Sequence, residues 1–404
     1  MQVLVVNSGS SSIKFELFAM DVERPVLRGE VERIGQPEAS MQVEKLGMDA
    51  GFTNGAVRAA DHAEAMRAVL GAIEATRPAG APSEIVAVAH RVVHGGTLHV
   101  EPTLIDATVL QDIRDLGLLA PVHAKANVAG IEAALAVFRD IPHVAVFDTA
   151  FHHTIPPVAH EYALPRELAR KHRIRRYGFH GTSHAYVAGR AAAMLDKPLS
   201  ELNLITLHLG NGASVAAIRR GVSVDTSMGM TPLEGLVMGT RCGDIDPAIP
   251  GLIGELANVS REQVNQVLNF DSGLKGLCGQ SDMREVHRLA DAGDADATLA
   301  RDMFCYHAKK YIGAYCAVLG NVDAIVFTAG IGQNDPDVRA RICDGLECFG
   351  VALSAKRNAS MAGGRRRELF INADDSTAAV LVIPTDEELE IAHAALACLH
   401  LTGN

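Results

Sequence analysis

The sequence predicts an α/β protein made of two domains of similar design. Three observations carry this. The chain has 404 residues, about twice the usual size of one domain. With no Trp and only 4% aromatics among 48% hydrophobic residues, the core must be built from Ala, Val, Leu and Ile, which suits sheets flanked by helices. Two segments half a chain apart also share one plan: an apolar strand, a bend of small residues, and a second strand.

The first such segment is residues 2–18. The run Val3-Leu4-Val5-Val6 leads into Asn7-Ser8-Gly9-Ser10-Ser11-Ser12, after which Ile13, Phe15 and Leu17 alternate with Lys14, Glu16 and Phe18. Over 59–76, Met66, Val69, Leu70 and Ile73 share one helical face, and Pro78 ends the run. Strands at 85–89 and 144–147 end at His90-Arg91 and at Asp148. The second hairpin, 203–219, bends at Gly210-Asn211-Gly212. A strand at 324–328 runs into a loop at Gly330-Ile331-Gly332. The last helix begins with a capping box at Thr385-Asp386-Glu387-Glu388 and turns Leu389, Ala392, Leu396 and Leu399 inward. The expected domains are 1–150, completed by a helix over 385–404, and 151–384, facing each other across a cleft.

A net charge of −11 argues against a nucleic-acid backbone or an anionic membrane as partner. The basic runs at 171–176 and Arg365-Arg366-Arg367 are too short to reverse this. All seven Cys lie between Cys242 and Cys398, without C-x-x-C spacing, so reduced thiols in a cytoplasmic protein are expected. The chain opens on a strand with no basic leader, and no apolar run reaches spanning length.

Loops of small residues let a phosphate approach backbone amides. Three occur here: 7–12, 210–214 and 330–334. One alone is better read as a turn between strands; three tilt the balance toward polyphosphate binding. Neither the P-loop spacing nor G-x-G-x-x-G is present. Phosphoryl transfer also needs cations and a metal at the moving group. Arg91 and Arg241 supply charge, though either could sit in a buried ion pair. Asp148 can position a metal or cap a segment. Glu387 can do the first or simply favour a helix N-terminus. The histidines at 152–153, 180 and 184 lack H-E-x-x-H spacing and a nearby Cys, so hydrogen bonding is preferred over zinc.

Five runs, 7–14, 90–96, 177–184, 208–212 and 384–388, resemble the acetate kinase family, in order and with the expected spacing. That family is similar to the actin, Hsp70 and sugar-kinase (hexokinase-like) superfamily, whose twin domains close over ATP. The resemblance implies a homodimer that interconverts ATP plus acetate with ADP plus acetyl phosphate by direct phosphoryl transfer. It implies Mg²⁺, with Mn²⁺ able to substitute, held by Asn7 and Glu387. Arg91 would bind the substrate carboxylate, and His180 and Arg241 would stabilise the phosphoryl group beside Asp148. Lys14, His208, Leu209, Gly210, Asn211 and Gly212 would hold the nucleotide. So would Asp282, Met283 and Arg284, with Gly330, Ile331, Gly332, Gln333 and Asn334. Val93, Val122, Phe179 and Pro232 would wall the alkyl group.

Two departures stand out: Val122-His123-Ala124-Lys125 replaces the expected Leu-His-Asn-Pro, and Gln333 stands where Glu is usual. A carboxylic acid with a pKa of roughly 4–5 is already ionised at pH 7, so Asp148 is read as positioning metal and water, not as a base. Propionate or butyrate kinase is the alternative within the class. Outside it stand a chaperone-like ATPase, which would lack Arg91, Val93 and Phe179, and a metal-dependent hydrolase.

Overall fold

The computed structural model describes residues 1–402 apart from 48–49, 77–83, 119–120 and 361–366, with side chains at 118, 121–123 and 401–402 also set aside. The chain divides into two units, Met1–Ala150 with Asp386–Asn404, and Phe151–Thr385. No helix among the described residues is long and apolar enough to cross a membrane.

The first unit holds a sheet of β1 (Gln2–Ser8), β2 (Ser12–Ala19), β3 (Arg24–Glu32), β4 (Ser40–Lys45), β5 (Gly51–Ala56), β6 (Ile85–Val92), β7 (Thr103–Leu104) and β8 (His143–Phe147). Its order is β5-β4-β3-β2-β1-β6-β8-β7, antiparallel from β5 to β1, with β1, β6 and β8 parallel. Parallel neighbours need a crossover, and α1 (His62–Ala75) lies between β5 and β6, α2 (Ala107–Asp115) and α3 (Pro121–Val137) between β7 and β8. Alternation decides which side is buried. Ile13, Phe15 and Leu17 go into the core with Met66, Val69 and Ile73 of α1 and Ala134 and Phe138, while Lys14 is exposed. Asp61 caps α1 by accepting from Glu64 N at 2.8 Å, so the helix starts later than the pattern over 59–76 suggests. Pro78 lies outside the described residues.

The second unit repeats the order with fewer strands. β9 (Asn203–Leu209), β10 (Ala213–Arg219), β11 (Val222–Thr226), β12 (Ala324–Thr328), β13 (Leu369–Phe370) and β14 (Ala379–Val382) run β11-β10-β9-β12-β14-β13. Again an antiparallel triple is followed by two parallel strands. Val187, Ala188 and Ala191 of the helix Gly181–Leu195 cover Leu204, Ile218, Ala324 and Val326. The α/β duplication expected from the two hairpins is therefore present.

Three local expectations need correction. The segment after β12 is a short helix, Ala329–Asn334, not a loop: Asn334 Nδ2 donates to Gly330 O at 2.9 Å, and buried Arg339 donates to Gly332 O at 2.9 Å. The C-terminal helix Glu387–Thr402 is capped by Asp386, which accepts from Leu389 N at 3.0 Å, while Thr385 Oγ1 bonds Ser183 Oγ instead. Its buried residues are Leu389, Ile391, Ala392, Ala395 and Cys398, whereas Leu396 and Leu399 are half-buried.

Candidate active site

In the first unit, parallel strands end side by side and deliver their last polar residues to one edge. Val6 pairs with His90 and Arg91 with Val146, so Asn7, Arg91 and Asp148 come from three adjacent strand ends. Asp148 accepts from Arg91 Nε at 3.0 Å and from Nη2 at 2.8 Å. Glu387, the first residue of its helix, stands 3.6 Å from the same Nη2. Among the described residues the Nη1 of Arg91 has no partner. Burial works against both charges. It pushes the Asp148 carboxyl upward, against the pull of Arg91. On Arg91 it is outweighed by Asp148 and Glu387, which raise the guanidinium pKa further and keep it charged.

Asn7 faces Lys14 across the β1–β2 ladder, and both line an open groove of about 240 Å³ with Glu16, Arg28, Glu30 and Glu388. Lys14 leans to Glu30 at 3.7 Å. Val93 N donates to Asn127 Oδ1 at 3.1 Å, and Asn127 Nδ2 reaches Ser8 O at 3.4 Å. Buried Asn127 thus ties the ends of β1 and β6 together, a role no local motif announces. Val122 falls in α3, but its side chain lies outside the described residues.

In the second unit, His180 precedes the helix Gly181–Leu195 in left-handed conformation (φ 57°). Its Nδ1 bonds Ser214 Oγ at 2.9 Å, and its ring stacks on His208 with centroids 4.1 Å apart. Between β9 and β10, Gly210 N donates to Gly212 O at 3.0 Å, closing the bend. A Cβ at Gly212 would lie 3.5 Å from both Arg241 Nη1 and His180 Nε2, so two nitrogen-bearing side chains converge over this glycine.

Arg241 sits on an irregular stretch that other side chains hold in place. Its Nη1 donates to Pro232 O at 3.1 Å, joining the expected phosphoryl clamp to the expected pocket wall. Arg176 Nη1 donates to the carbonyls of Thr226, Ser227 and Met228 at 2.8–3.0 Å, and its Nη2 to Glu234 at 2.6 Å. Tyr162 donates to the other oxygen of Glu234 and accepts from Met230 N at 3.0 Å. Gly235 (φ 108°) supplies a turn that an L side chain rarely adopts, closed by Asp244 Oδ1 at 2.9 Å. Phe179 is buried, and its carbonyl accepts from His152 Nε2 at 3.1 Å.

The expected nucleotide segments gather further polar groups. Asp282 caps the helix Met283–Asp291 and pairs with exposed Arg284, while Met283 is buried. His287 on that helix bonds Asp335 Oδ2 at 2.7 Å, next to the helix Ala329–Asn334, and the carboxylate raises its pKa. Arg339, fully buried, bonds Asn358 and Gly332, and burial, opposed by the charge of Asp335, lowers its pKa to about 10. Sequence reading missed Arg176, Glu234, Ser214 and Arg339; their partners are far along the chain or are backbone carbonyls.

Among the described residues no three His, Cys, Asp or Glu side chains form a metal cage. Mg²⁺ does not require one, because it commonly takes one or two carboxylates and keeps water and phosphate oxygens. Asn7, Asp148 and Glu387 offer hard oxygen donors of that kind at neighbouring strand and helix ends, whereas Ser8 Oγ turns the other way, against Gly130. The donor set fits the ion.

The acetokinase family profile matches residues 2–393. The acetate kinase of Syntrophobacter fumaroxidans is 51% identical, over 100% of this chain and 98% of that protein. That of Leifsonia xyli subsp. xyli is 50% identical, over 98% of each. Among solved structures, the acetate kinase of Porphyromonas gingivalis superposes with a TM-score of 0.92 at 38% identity, covering 98% of this chain and 99% of that one. A propionate kinase from Francisella tularensis gives 0.91 at 39% identity, with the same coverage.

Proposed function

The chain belongs to the acetokinase family, and from that premise we infer how its own residues phosphorylate acetate with ATP. The acceptor is a carboxylate, already nucleophilic at pH 7, so no proton need be removed. The task is to hold two anions together and to neutralise charge on the group in flight. Arg91 receives the carboxylate on its Nη1 side, with its other edge fixed by Asp148. Val93, Val122, Phe179 and Pro232 surround the methyl group. His180 and Arg241 donate to the phosphoryl oxygens. Asn7 and Glu387 would hold Mg²⁺, with Asp148 positioned beside it, and the ion would supply charge neutralisation to the phosphates. Lys14, residues 208–212, 282–284 and 330–334 hold the nucleotide.

The observation that carries this reading is the approach of His180 Nε2 and Arg241 Nη1 to one point over Gly212. Donors fixed before the reaction act without reorganisation, and removing one costs on the order of 10²–10³ in kcat. The test is acetyl phosphate formation, trapped as hydroxamate, with ATP, Mg²⁺ and a panel of short acids. His180→Ala and Arg241→Ala should each lower kcat within that range and leave KM for acetate nearly unchanged. A variant with wild-type kcat removes its residue from the mechanism. Rates on propionate or butyrate above those on acetate would move the chain to the alternative substrates. A homodimer in the cytoplasm completes the proposal, supported by seven free cysteines and by the family resemblance, and testable by sedimentation and fractionation.

A further inference from the structure

Behind His180 runs a chain of polar side chains that the reaction as described does not use. Ser214 Oγ lies 2.9 Å from His180 Nδ1 and 2.8 Å from His184 Nε2. His184 Nδ1 lies 2.7 Å from Thr206 Oγ1. Ser214, His184 and Thr206 are each 0% exposed, so water does not substitute for any of these bonds. Burial, with His152 and His208 nearby, keeps His184 neutral.

Proton counting limits what this chain can do at a neutral His180, whose Nδ1 either donates to Ser214 or accepts from it. A neutral imidazole has one donor and one acceptor nitrogen, and a hydroxyl has one hydrogen to donate. If Ser214 accepts from His180, the His180 proton is on Nδ1 and Nε2 is a bare lone pair. In the other direction Thr206 donates to His184 Nδ1, His184 Nε2–H donates to Ser214 Oγ, and Ser214 donates to His180 Nδ1. The His180 proton is then on Nε2, the nitrogen that approaches Arg241 over Gly212. A lone pair there would repel phosphoryl oxygens, whereas an N–H binds them.

We propose that Ser214, backed by His184 and Thr206, is a positioning residue that fixes His180 as its Nε2–H tautomer and so presents a donor to the transferring phosphoryl group. The proposal rests on the reading of His180 given above. It also accounts for why a helix that starts at Gly181 carries a second histidine one turn in, buried and turned to the sheet: His184 links the two hydroxyls. Ser214 on β10 and Thr206 on β9 are diagonal neighbours on one face of an antiparallel pair, where Ser214 pairs with His208 and Thr206 with Ala216.

The experiment is nitrogen NMR of protein labelled with ¹⁵N in histidine, with His180 assigned by its loss in His180→Gln. The wild type should show His180 protonated on Nε2 and bare on Nδ1. Ser214→Ala should populate both tautomers and lower kcat roughly tenfold, the ratio supported by one ordinary hydrogen bond, with KM for acetate unchanged. Ser214→Cys, which keeps a weak donor, should recover part of the loss. His180 protonated on Nδ1 in the wild type overturns the proposal, and needs no variant to fold. So does a Ser214→Ala protein that loses kcat while the tautomer stays put, since that is a structural effect alone. If His180→Ala keeps wild-type kcat, the failure is instead in the role given to His180, a result separate from where its proton lies.

Discussion

Removing the carboxylate of Asp148 tests how the substrate-binding arginine is held. The Asp148 side chain is 2% exposed and that of Arg91 23%, with three N–H···O contacts of 2.8–3.2 Å between them. Breaking a buried ion pair by deleting one partner costs about 3–5 kcal/mol, chiefly because the other charge is left without compensation. Here Glu387 remains 3.6 Å from Arg91, and part of the guanidinium reaches solvent. The lower end applies, so Asp148→Ala should destabilise by about 3 kcal/mol. Arg91 should turn toward Glu387, raising KM for acetate and the Mg²⁺ requirement together. In Arg91→Ala the orphan is a buried carboxylate, which can protonate. The double variant should therefore recover about 1–3 kcal/mol relative to the sum of the single changes, as for other residues in direct contact. Urea unfolding gives the stabilities and hydroxamate trapping gives KM. Strict additivity, or a stable Asp148→Ala protein with normal KM, would refute the reasoning. Asp148→Asn adds a control: its pH profile between pH 6 and 8 should keep both limbs, and loss of one would show that Asp148 takes a proton.

Acid should unfold the protein through its buried imidazoles. His152, held near a pKa of about 4 by burial, and His90 and His184, lowered for the same first reason, stay neutral when folded. The unfolded chain protonates them near pH 6.5, so it binds more protons below that value and stability falls as pH drops, by up to about 1.4 kcal/mol per unit for each. His152→Gln should flatten the slope between pH 6.5 and 4; an unchanged slope would contradict this. Glu234→Ala should release the 228–236 stretch from Arg176 and Tyr162, shift Pro232 and Arg241, and lower kcat on the order of 10²-fold, as a 1 Å misplacement can; kcat near wild type would show that the stretch holds itself. Val122→Leu should depress kcat/KM for propionate more than for acetate, since one methylene is worth about 1–3 kcal/mol; equal losses would take Val122 out of the pocket.

What was legible in the sequence depended on distance along the chain. The hairpins could be read because Ile13, Phe15 and Leu17 alternate with their neighbours within one strand, and backbone pleating sends alternate side chains to opposite faces. Arg91, Asp148 and His180 stood out because each ends or follows a compact motif. Ser214 and His184, by contrast, are 30 residues apart, and Arg176 and Glu234 58, so only folding brings them together. The glycines at 329–334 signal a turn, yet the segment is a helix because Arg339, held by Asn358 from later in the chain, supports it in place of local propensity. The cap at Asp386 rather than Thr385 was a choice between adjacent residues that share the same chemistry, decided by Ser183 claiming the threonine hydroxyl.

Because the first unit closes with Asp386–Asn404, its two parts are separated by the whole of Phe151–Thr385, or 235 residues. A ribosome adding about 5–20 residues per second leaves Met1–Ala150 without its final helix for roughly 12–47 s. Throughout that interval the strand ends bearing Asn7, Arg91 and Asp148 exist without Glu387, and the surface meant for Ile391, Ala392 and Ala395 is uncovered. The second unit is contiguous and complete first. Order of synthesis and order of completion therefore run opposite ways in this chain: the half begun first is the half that matures last, and its apolar seam is what a chaperone would meet on the nascent polypeptide.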